Sequence, residues 1–363
     1  SPCTSPKLIA APSTGMHTFE VRATDAVGNT DGSPATGSWK TVSGGPAPDT
    51  LITSPPAARS TGAVSIGFSS DDPQATFQCS LDGSLYTNCT SPYSVLAPAL
   101  GLHNFRVRAV NENGTDASPA QVSWRTVKPR QDLCGTIAQD ATLTADDALV
   151  YVLTCTVTVP KGVTLSVQPD TIVKAAAATS IQVQGSLSVP GTAQAPVTFT
   201  SLRDDSVGGD TNGDGAQSAP SPGDWSGVYA SGSSARLVMT HGRVRFAPLQ
   251  TYDVAETDVQ SSQFEQSPYD ALVVDDGSSW PTAQGALAKV TLLNNVVTGA
   301  GSGSSSLSGR AIWIRDDNGS ARGLDLRLGQ LQGNTGSNND QPYMQIDGWQ
   351  AREDTTWSFG AGA

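Results

Sequence analysis

The segment Thr156-Val-Thr-Val-Pro-Lys-Gly-Val-Thr-Leu-Ser-Val-Gln-Pro-Asp-Thr-Ile-Val-Lys174 decides the fold of most of this chain of 363 residues. Its apolar residues alternate with polar ones in very short runs that end at Gly or Pro turns, a pattern typical of short β-strands. The same alternating pattern returns at Ile181-Gln-Val-Gln, Leu187-Ser-Val and Val197-Thr-Phe-Thr. Helix signals that a sheet of βαβ units would need are missing between these runs. The pattern predicts a solenoid in which each coil stacks its apolar side chains on the coil below.

Three longer phrases in this region resemble the opening coils of a family of large bacterial surface proteins built on a right-handed parallel β-helix. They are Pro160–Lys174, Gly185–Ser201 and Gly223–Tyr229. The resemblance covers most of residues 131–363, which we predict to form one parallel β-helix domain. It implies a secreted or surface-displayed scaffold that is often fused to Ig-like repeats, and it does not imply an enzyme.

The first third of the chain contains an internal repeat. Gly15-Met-His-Thr-Phe-Glu-Val-Arg-Ala matches Gly101-Leu-His-Asn-Phe-Arg-Val-Arg-Ala, and Ser38-Trp-Lys-Thr-Val matches Ser123-Trp-Arg-Thr-Val. Short alternating runs between Pro, Gly and Asp clusters predict a β-sandwich for residues 49–127. These phrases resemble the tandem Ig-like repeats of bacterial surface proteins. We therefore predict a complete Ig-like domain at residues 49–127.

By the same match, residues 1–43 correspond to only the C-terminal half of such a domain. Half a sandwich would leave Phe19, Val21 and Trp39 without an opposing sheet. The sequence predicts that the missing strands come from further polypeptide of the same protein or from a neighbouring subunit by strand addition. We also expect the β-helix to continue beyond residue 363, so that the chain is an internal segment of a longer protein.

The charge and the cysteines indicate which partners and which compartment to expect. The net charge of −12 argues against a nucleic-acid partner, whose phosphates require clusters of Lys and Arg. No stretch has the roughly 18 consecutive apolar residues that would predict a membrane span.

Cys79 and Cys89 flank an Asp-Gly turn and are predicted to form a disulfide, as are Cys134 and Cys155, so we expect an extracellular compartment. Cys3 matches Cys89, and we predict that it is unpaired or linked to a missing segment.

One acidic motif predicts a cofactor, which we expect to be calcium. Residues Asp210, Asn212 and Asp214 stand two apart before Gly215, as at the start of an EF-hand loop. Ser221 occupies the place of the usual bidentate Glu, so the loop is not an EF-hand. An alternative interpretation is a polar turn without metal. The further ligand candidates nearest in sequence are Asp204, Asp205 and Asp224.

A polysaccharide-binding or polysaccharide-cleaving β-helix is the alternative function. Five tryptophans could stack on sugar rings, although tryptophans in such a sequence more often pack at coil corners: Trp225, Trp280, Trp313, Trp349 and Trp357. The best local cluster for catalysis is Arg315-Asp-Asp-Asn, but neighbouring residues of a strand point to opposite faces and make a poor acid–base pair. His17, His103 and His241 have no second histidine nearby in sequence and are interpreted as structural.

We therefore predict an extracellular structural or adhesive segment, not an enzyme. Ig-like modules would act as spacers, the β-helix as a stiff body, and calcium as a rigidifying ligand. Its expected partners are neighbouring copies of itself or other surface proteins, with carbohydrate as a second possibility. Self-assembly into a filament is compatible with this prediction.

Overall fold

The computed structural model describes residues 2–10, 12–41, 44–275, 288–302, 309–315, 324–326 and 328–347. These residues form an all-β protein, as the sequence predicted, with no α-helix in the described ranges. They fall into two compact units that divide between Thr126 and Val127. In the described ranges, helices with the length and apolar character needed to cross a bilayer are absent.

The described residues of the first unit form eleven strands. They are β1 (Gly15–Val21), β2 (Ala35–Thr41), β3 (Thr50–Ser54), β4 (Arg59–Ser60), β5 (Val64–Ser70), β6 (Thr76–Leu81), β7 (Thr87–Cys89), β8 (Tyr93–Val95), β9 (Gly101–Asn111), β10 (Gly114–Thr115) and β11 (Ala120–Thr126).

Most of these strands form two sheets around one core. One sheet has the order β4-β11-β9-β6-β7, with β10 paired to β9, and the other has the order β3-β5-β8. The alternating pattern of β9 buries Phe105 and Val107, which lie in one cluster with Ile66, Phe68 and Trp124. Strands β1 and β2 form a separate two-stranded antiparallel sheet. The two copies of the sequence repeat thus differ in how many strands surround them.

The described residues of the second unit form twenty-one strands and one short 3-10 helix. The elements are β12 (Gln131–Thr136), β13 (Ala141–Leu143), β14 (Tyr151–Val159), β15 (Thr164–Val167), β16 (Ile172–Ala175), β17 (Ser180–Val183), β18 (Ser186–Pro190), β19 (Val197–Ser201), β20 (Gly227–Ser231), β21 (Arg236–Thr240), β22 (Gly242–Arg245), β23 (Leu249–Tyr252), β24 (Glu256–Gln260), β25 (Gln263–Glu265), β26 (Leu272–Asp275), β27 (Ala288–Leu293), β28 (Val296–Thr298), β29 (Arg310–Arg315), β30 (Leu324–Asp325), the 3-10 helix Leu328–Gln330, β31 (Thr335–Ser337) and β32 (Gln341–Asp347).

These strands pair in parallel and form three columns. Column A runs β16-β19-β22-β25-β28-β31, column B runs β17-β20-β23-β26-β29-β32, and column C runs β13-β15-β18-β21-β24-β27-β30. The long strand β14 joins columns A and B, because Tyr151–Leu153 pairs with β16 and Val157–Val159 pairs with β17. From β15 onward the chain visits columns C, A and B in that cyclic order. The outcome is a 14-stranded and a 7-stranded sheet of parallel strands.

The core of the second unit is built from stacked positions. In column A, Val173 pairs with Phe199, which pairs with Val244, and Phe264 and Val297 follow in register. All five side chains are buried in one continuous cluster. Column B stacks Ile181, Val228, Leu249, Leu272 and Ile312 in the same manner. Each coil therefore buries its apolar side chains against its two neighbours.

The corner before column A repeats one backbone conformation. His241, Ser261 and Asn294 each have a positive φ, and Gly333 occupies the same place in the last described coil. The next residue at these corners, such as Ser262 or Asn295, uses its side chain to accept a hydrogen bond from the backbone N–H of the preceding coil's corner. Asn295 there donates to the Val259 carbonyl at 2.8 Å and accepts from the Ser262 backbone N–H at 3.0 Å. These two hydrogen bonds join the corner at Asn295 to the corner of the preceding coil.

Candidate metal site

The candidate site lies on a loop inserted into one coil. Strand β19 ends at Ser201 and β20 begins at Gly227, so residues 202–226, which we call the acidic loop, connect columns A and B. The equivalent connection one coil later is only the three residues between β22 and β23. Gly208 approaches the coil so closely that an added Cβ would lie 2.7 Å from Val150 Cγ2. The acidic loop therefore packs onto the coils that precede β19, at Val150 and Ile172.

The structure brings three of the six predicted metal ligands together. Carboxylate oxygens of Asp205, Asp210 and Asp214 all lie within 4.8 Å of one another. Asp205 comes from the start of the acidic loop and the other two from the motif that the sequence identified. Three hard oxygen donors at this separation are what a calcium ion uses as part of its coordination shell.

Asp210 organises the turn that carries the motif. Its Oδ1 accepts from the Gly213 backbone N–H at 2.7 Å and its Oδ2 accepts from the Gly215 backbone N–H at 2.9 Å. Both glycines have positive φ, which the tight turn requires. The hydrogen bond from Gly215, followed by those from Gly213 and Asp214, holds the pKa of Asp210 below its ordinary value. The carboxylate is therefore charged at neutral pH.

Three side-chain oxygens of the acidic loop are buried without a hydrogen-bond donor in the described part of the chain. They are Oδ1 of Asp205, Oδ1 of Asn212 and Oδ1 of Asp214. The other side of the Asn212 amide donates to Asp214 Oδ2 at 2.8 Å, and Ser218 also donates to that oxygen. Buried polar oxygens are nearly always satisfied in native proteins. A cation bound among them would supply the missing partner, so the donor set fits calcium.

A buried lysine lies beneath the acidic loop. The Lys174 side chain is fully buried, and its Nζ donates to the Gly209 carbonyl oxygen at 2.5 Å. Burial lowers the pKa of Lys174, and the charges of Asp205, Asp204 and Asp210 oppose that change. The sequence analysis predicted Lys174 only as the last residue of a short strand and not as part of the site. The available signal was a lysine inside an apolar β-strand pattern that precedes an acidic segment.

The remaining two ligand candidates are held by other groups. Asp204 accepts from Thr200 Oγ1 at 2.6 Å and pairs with Arg245, while its Oδ1 accepts from Ser206. Asp224 accepts from Ser201 Oγ at 2.8 Å and from Arg203 Nη1 at 3.1 Å. Neither carboxylate belongs to the cluster of three. Their partners anchor the two ends of the acidic loop to the coil.

Both predicted disulfides are present. Cys79 is bonded to Cys89 across β6 and β7, and Cys134 is bonded to Cys155 across β12 and β14. Each bond joins neighbouring strands of one sheet. Cys3 is exposed and is not bonded to another cysteine of this chain.

The aromatic residues named by the sequence divide into packing and surface positions. Trp225 is buried, and its Nε1 donates to the Arg245 carbonyl oxygen at 2.9 Å, so it fills a coil corner. Trp313 lies on the outer face of column B, where its Nε1 donates to Asp347 Oδ2 at 2.7 Å. Three tryptophans and three polar residues of the sequence prediction lie outside the described residues: Trp280, Trp349, Trp357, Asp316, Asp317 and Asn318.

The three histidines have different environments. His103 is buried, and its Nδ1 lies 2.8 Å from Asp82 Oδ2. His17 Nε2 hydrogen-bonds to the Ser13 carbonyl oxygen at 2.5 Å. His241 takes the positive φ of the coil corner. None of them belongs to a group of metal-binding side chains in the described ranges.

Comparison with protein-family models finds no match for this chain. Comparisons with curated proteins and with solved structures find none either.

Proposed function

We propose that this chain is an extracellular structural or adhesive segment in which Ig-like modules are joined to a right-handed parallel β-helix. The observation that carries the proposal is the cyclic order of columns C, A and B, whose strands stack in register. In that arrangement the stacked coils share one continuous apolar core. Such a core suits a stiff scaffold. Two disulfides fit an oxidising compartment.

The surface of column A supports a scaffold better than an enzyme. Two depressions on it have volumes of about 330 and 250 Å³, and Glu265 is the carboxylate in both. That carboxylate pairs with Arg245 at 2.9 Å. Hydrolysis of a glycosidic bond needs two carboxyl groups in different protonation states. A single paired carboxylate does not meet that requirement.

We further propose that calcium binds among Asp205, Asp210, Asn212 and Asp214 and stabilises the acidic loop. The buried oxygens without donors support this assignment. Calcium that binds only the folded protein at a hundred times its dissociation constant would add about 2.7 kcal/mol. For a unit of this size, such a gain corresponds to a rise in melting temperature of roughly 5 to 10 °C.

The test compares melting of the whole chain in calcium and in chelator. We expect the wild type to melt higher in calcium and Asp214→Ala to show no difference between the two conditions. The matched control is Asp258→Asn, which removes the same charge on column C, where Gln260 is its neighbour. Identical wild-type melts with and without chelator would overturn the calcium proposal.

A separate experiment tests the proposed location on the cell surface. Protease added to intact source cells should cleave this chain, since a surface-displayed segment is accessible. Cleavage that occurs only after permeabilisation would contradict an extracellular role.

Polysaccharide binding is the second candidate, and the outer face of column B favours it. Tyr252, Asp275, Arg315 and Asp347 follow one another in register on this face. Trp313 lies beside them, with the Arg310 guanidinium 3.9 Å from its ring centroid. Aromatic rings next to carboxylates are groups that sugar rings and hydroxyls can contact.

The carboxylates on this face are poor acids for cleavage. Asp275 pairs with Arg315 at 3.1 Å. Hydrogen bonds, first from Gln345 and also from Trp313, hold the pKa of Asp347 below its ordinary value, although burial opposes them. We therefore propose binding without turnover. Calorimetry with cello-oligosaccharides and oligogalacturonates should detect any binding, which Trp313→Ala should abolish, while new reducing ends lost in an Arg315→Ala variant would show catalysis.

A further inference from the structure

The arginines of residues 49–127 all lie in one sheet, β4-β11-β9-β6-β7. They are Arg59 in β4, Arg106 and Arg108 in β9, and Arg125 in β11, and this part of the chain contains no lysine. None of the strands described in that sheet contains Asp or Glu. The carboxylates of residues 49–127 lie outside the strands, at Asp49, Asp71, Asp72, Asp82, Glu112 and Asp116. Positive charge is therefore concentrated on this sheet, in a chain whose net charge is −12.

Arg106 and Arg108 project from the outer face of this sheet. Their neighbours Phe105 and Val107 are buried in the core, and successive side chains of a strand point to opposite faces. Arg106 is exposed and forms no hydrogen bond or ion pair with a described residue. Residues two positions apart on a strand are separated by roughly 6.8 Å. The outer face of β9 therefore carries two cationic groups in a row.

Neutral groups hold Arg108 in place. Its Nε and Nη2 donate to Gln78 Oε1 at 3.0 and 2.9 Å. Its guanidinium carbon lies 4.0 Å from the centroid of the Tyr86 ring, as in a cation–π contact. Neither partner is charged, so these contacts leave the charge of Arg108 uncompensated, and they do not use Nη1. The guanidinium is thus oriented and still able to bind an anion.

Uncharged polar groups lie beside the two arginines. Gln121 lies opposite Arg106 in the register of β11 and β9, and Ser123 lies opposite Asn104. Asn104 Nδ2 donates to Ser123 Oγ at 3.1 Å. Neighbouring strands are about 4.8 Å apart, so these amide and hydroxyl groups lie close to the guanidinium groups.

The carboxylate in the turn after β6 does not neutralise this face. Asp82 Oδ2 lies 2.8 Å from His103 Nδ1, and Asp82 Oδ1 accepts from the Asn104 backbone N–H at 2.8 Å. Both oxygens are therefore engaged, and the carboxylate is directed toward a buried histidine of the inner face.

We propose that the outer face of this sheet, which we call the arginine face, binds an acidic polysaccharide through sulfate or phosphate esters. A guanidinium donates two parallel hydrogen bonds to an oxyanion, and such charge-assisted bonds are stronger than neutral ones. The amide and hydroxyl groups contact the remaining oxyanion oxygens and the sugar hydroxyls. These residues belong to the first unit and include none of column B or of the acidic loop. The arginine face consists of Gln78, Asn104, Arg106, Arg108, Gln121 and Ser123.

A polysaccharide fits the arginine face better than a protein or a nucleic acid. Protein partners need apolar anchors that become fully buried, and Leu102 is the only exposed large apolar side chain on the described strands of this sheet. Single-stranded nucleic acids stack their bases on aromatic rings. The ring beside this face, Tyr86, is already in contact with Arg108. An acidic polysaccharide needs ionic and hydrogen-bonding groups in a row, which this face has.

The test measures binding of short dextran sulfate to the whole chain by calorimetry in chelator, with uncharged dextran of the same length as the control ligand. We expect dextran sulfate to bind and dextran not to bind. Arg106→Glu should weaken the binding by about tenfold or more, because it replaces an attractive charge with a repulsive one. Glu20 occupies the matching position of the other repeat copy, so glutamate is compatible with this strand position. The variant should melt at the same temperature as the wild type.

Three further variants separate binding at this face from other effects. Arg106→Gln should lower the slope of log affinity against log salt concentration by about one, since one ionic contact fewer forms. Arg243→Glu makes the same charge change at an exposed arginine of β22 and should leave the affinity unchanged. Trp313→Ala should also leave it unchanged, which distinguishes this site from the outer face of column B.

Four results would overturn the proposal. The first is a wild type that does not bind dextran sulfate, or that binds dextran equally well. Equal weakening by Arg106→Glu and Arg243→Glu would show attraction by overall charge and not by this face. Loss of binding in Trp313→Ala would assign the ligand to column B. Tighter binding of an oligothymidylate with the same number of charges would identify the ligand as nucleic acid.

Discussion

The ammonium of Lys174 lies under the acidic loop and donates to the carbonyl oxygen of Gly209 at 2.5 Å. Strand β16 points Val173 into the core, so its neighbour Lys174 points outward from column A. It is nevertheless fully buried, because the acidic loop covers it. A positive charge inside the protein thus compensates part of the negative charge that the acidic loop collects.

Replacement of this lysine should make the protein more dependent on calcium. Lys174→Met removes the buried cation and leaves Asp204, Asp205 and Asp210 with less compensation. Loss of one partner of a buried charged group is expected to cost about 3 kcal/mol in the free energy of unfolding. Calcium should recover more stability in this variant than in the wild type. Chemical denaturation in calcium and in chelator measures both quantities.

The control for this prediction is Lys161→Met, since Lys161 is an exposed lysine of the same unit. Its unfolding should change by no more than about 0.5 kcal/mol in either condition. If Lys174→Met lost the same stability in calcium and in chelator, the lysine and the ion would not compensate the same charges.

The contact between Asp82 and His103 should make the first unit sensitive to pH. Burial lowers the pKa of His103, but the hydrogen bond and charge of Asp82 outweigh it and raise that pKa. A raised pKa in the folded state means that the histidine stabilises fully below its unfolded pKa of about 6.5. This contribution is lost as the pH rises through the folded pKa.

An NMR titration of the His103 ring checks this prediction. Asp82→Asn keeps an acceptor for the Asn104 backbone N–H, which donates to Asp82 Oδ1 at 2.8 Å in the wild type. It removes the charge that favours the imidazolium, so the pKa of His103 should fall. A titration curve that is the same in both proteins would show that Asp82 does not control the histidine.

The repeated corner before column A predicts a specific loss of stability. Asn295 is fully buried and connects the Val259 carbonyl with the Ser262 backbone N–H. Asn295→Ala would leave the Ser262 backbone N–H without this acceptor and remove the side-chain hydrogen bond to the Val259 carbonyl, at a cost of about 1 to 3 kcal/mol. Gln332→Ala, at an exposed amide of a later coil, should be nearly neutral in the same urea-unfolding experiment. Equal losses in the two variants would be inconsistent with this explanation.

Much of the strand pattern could be predicted because it is local. Alternation in Val163-Thr-Leu-Ser-Val and Val197-Thr-Phe-Thr corresponds directly to β15 and β19. The sequence also predicted a change of strand pattern near residue 131, and the structure divides into its two units between Thr126 and Val127. The cyclic order of the columns required the pairing register, which depends on contacts between residues far apart in the chain.

The acidic loop shows which contacts the spacing of residues along the sequence can predict and which it cannot. Asp210, Asn212 and Asp214 are near neighbours, so the sequence could place them together. Asp204 and Asp205 are adjacent in sequence but turn to different partners, Arg245 and the carboxylate cluster. Lys174 reaches the loop only through the stacking of one coil beneath another. Those relationships are set by tertiary packing, which spacing does not report.

The stacked core of the second unit predicts that the energetic coupling between mutations falls off with coil distance. Phe199 lies in column A between Val173 and Val244, and all three side chains are buried. Phe199→Ala should cost about 3 to 5 kcal/mol through lost burial and the cavity it leaves. Val173→Ala made together with Phe199→Ala should deviate from additivity by at least about 0.5 kcal/mol, because the two residues share one cavity. Val297→Ala lies three coils from Phe199 and should add to it within about 0.5 kcal/mol. Urea unfolding followed by the signal of the second unit gives the free-energy changes of the three single and two double variants. Coupling of Phe199 to Val297 as strong as its coupling to Val173 would contradict a core built from contacts between neighbouring coils.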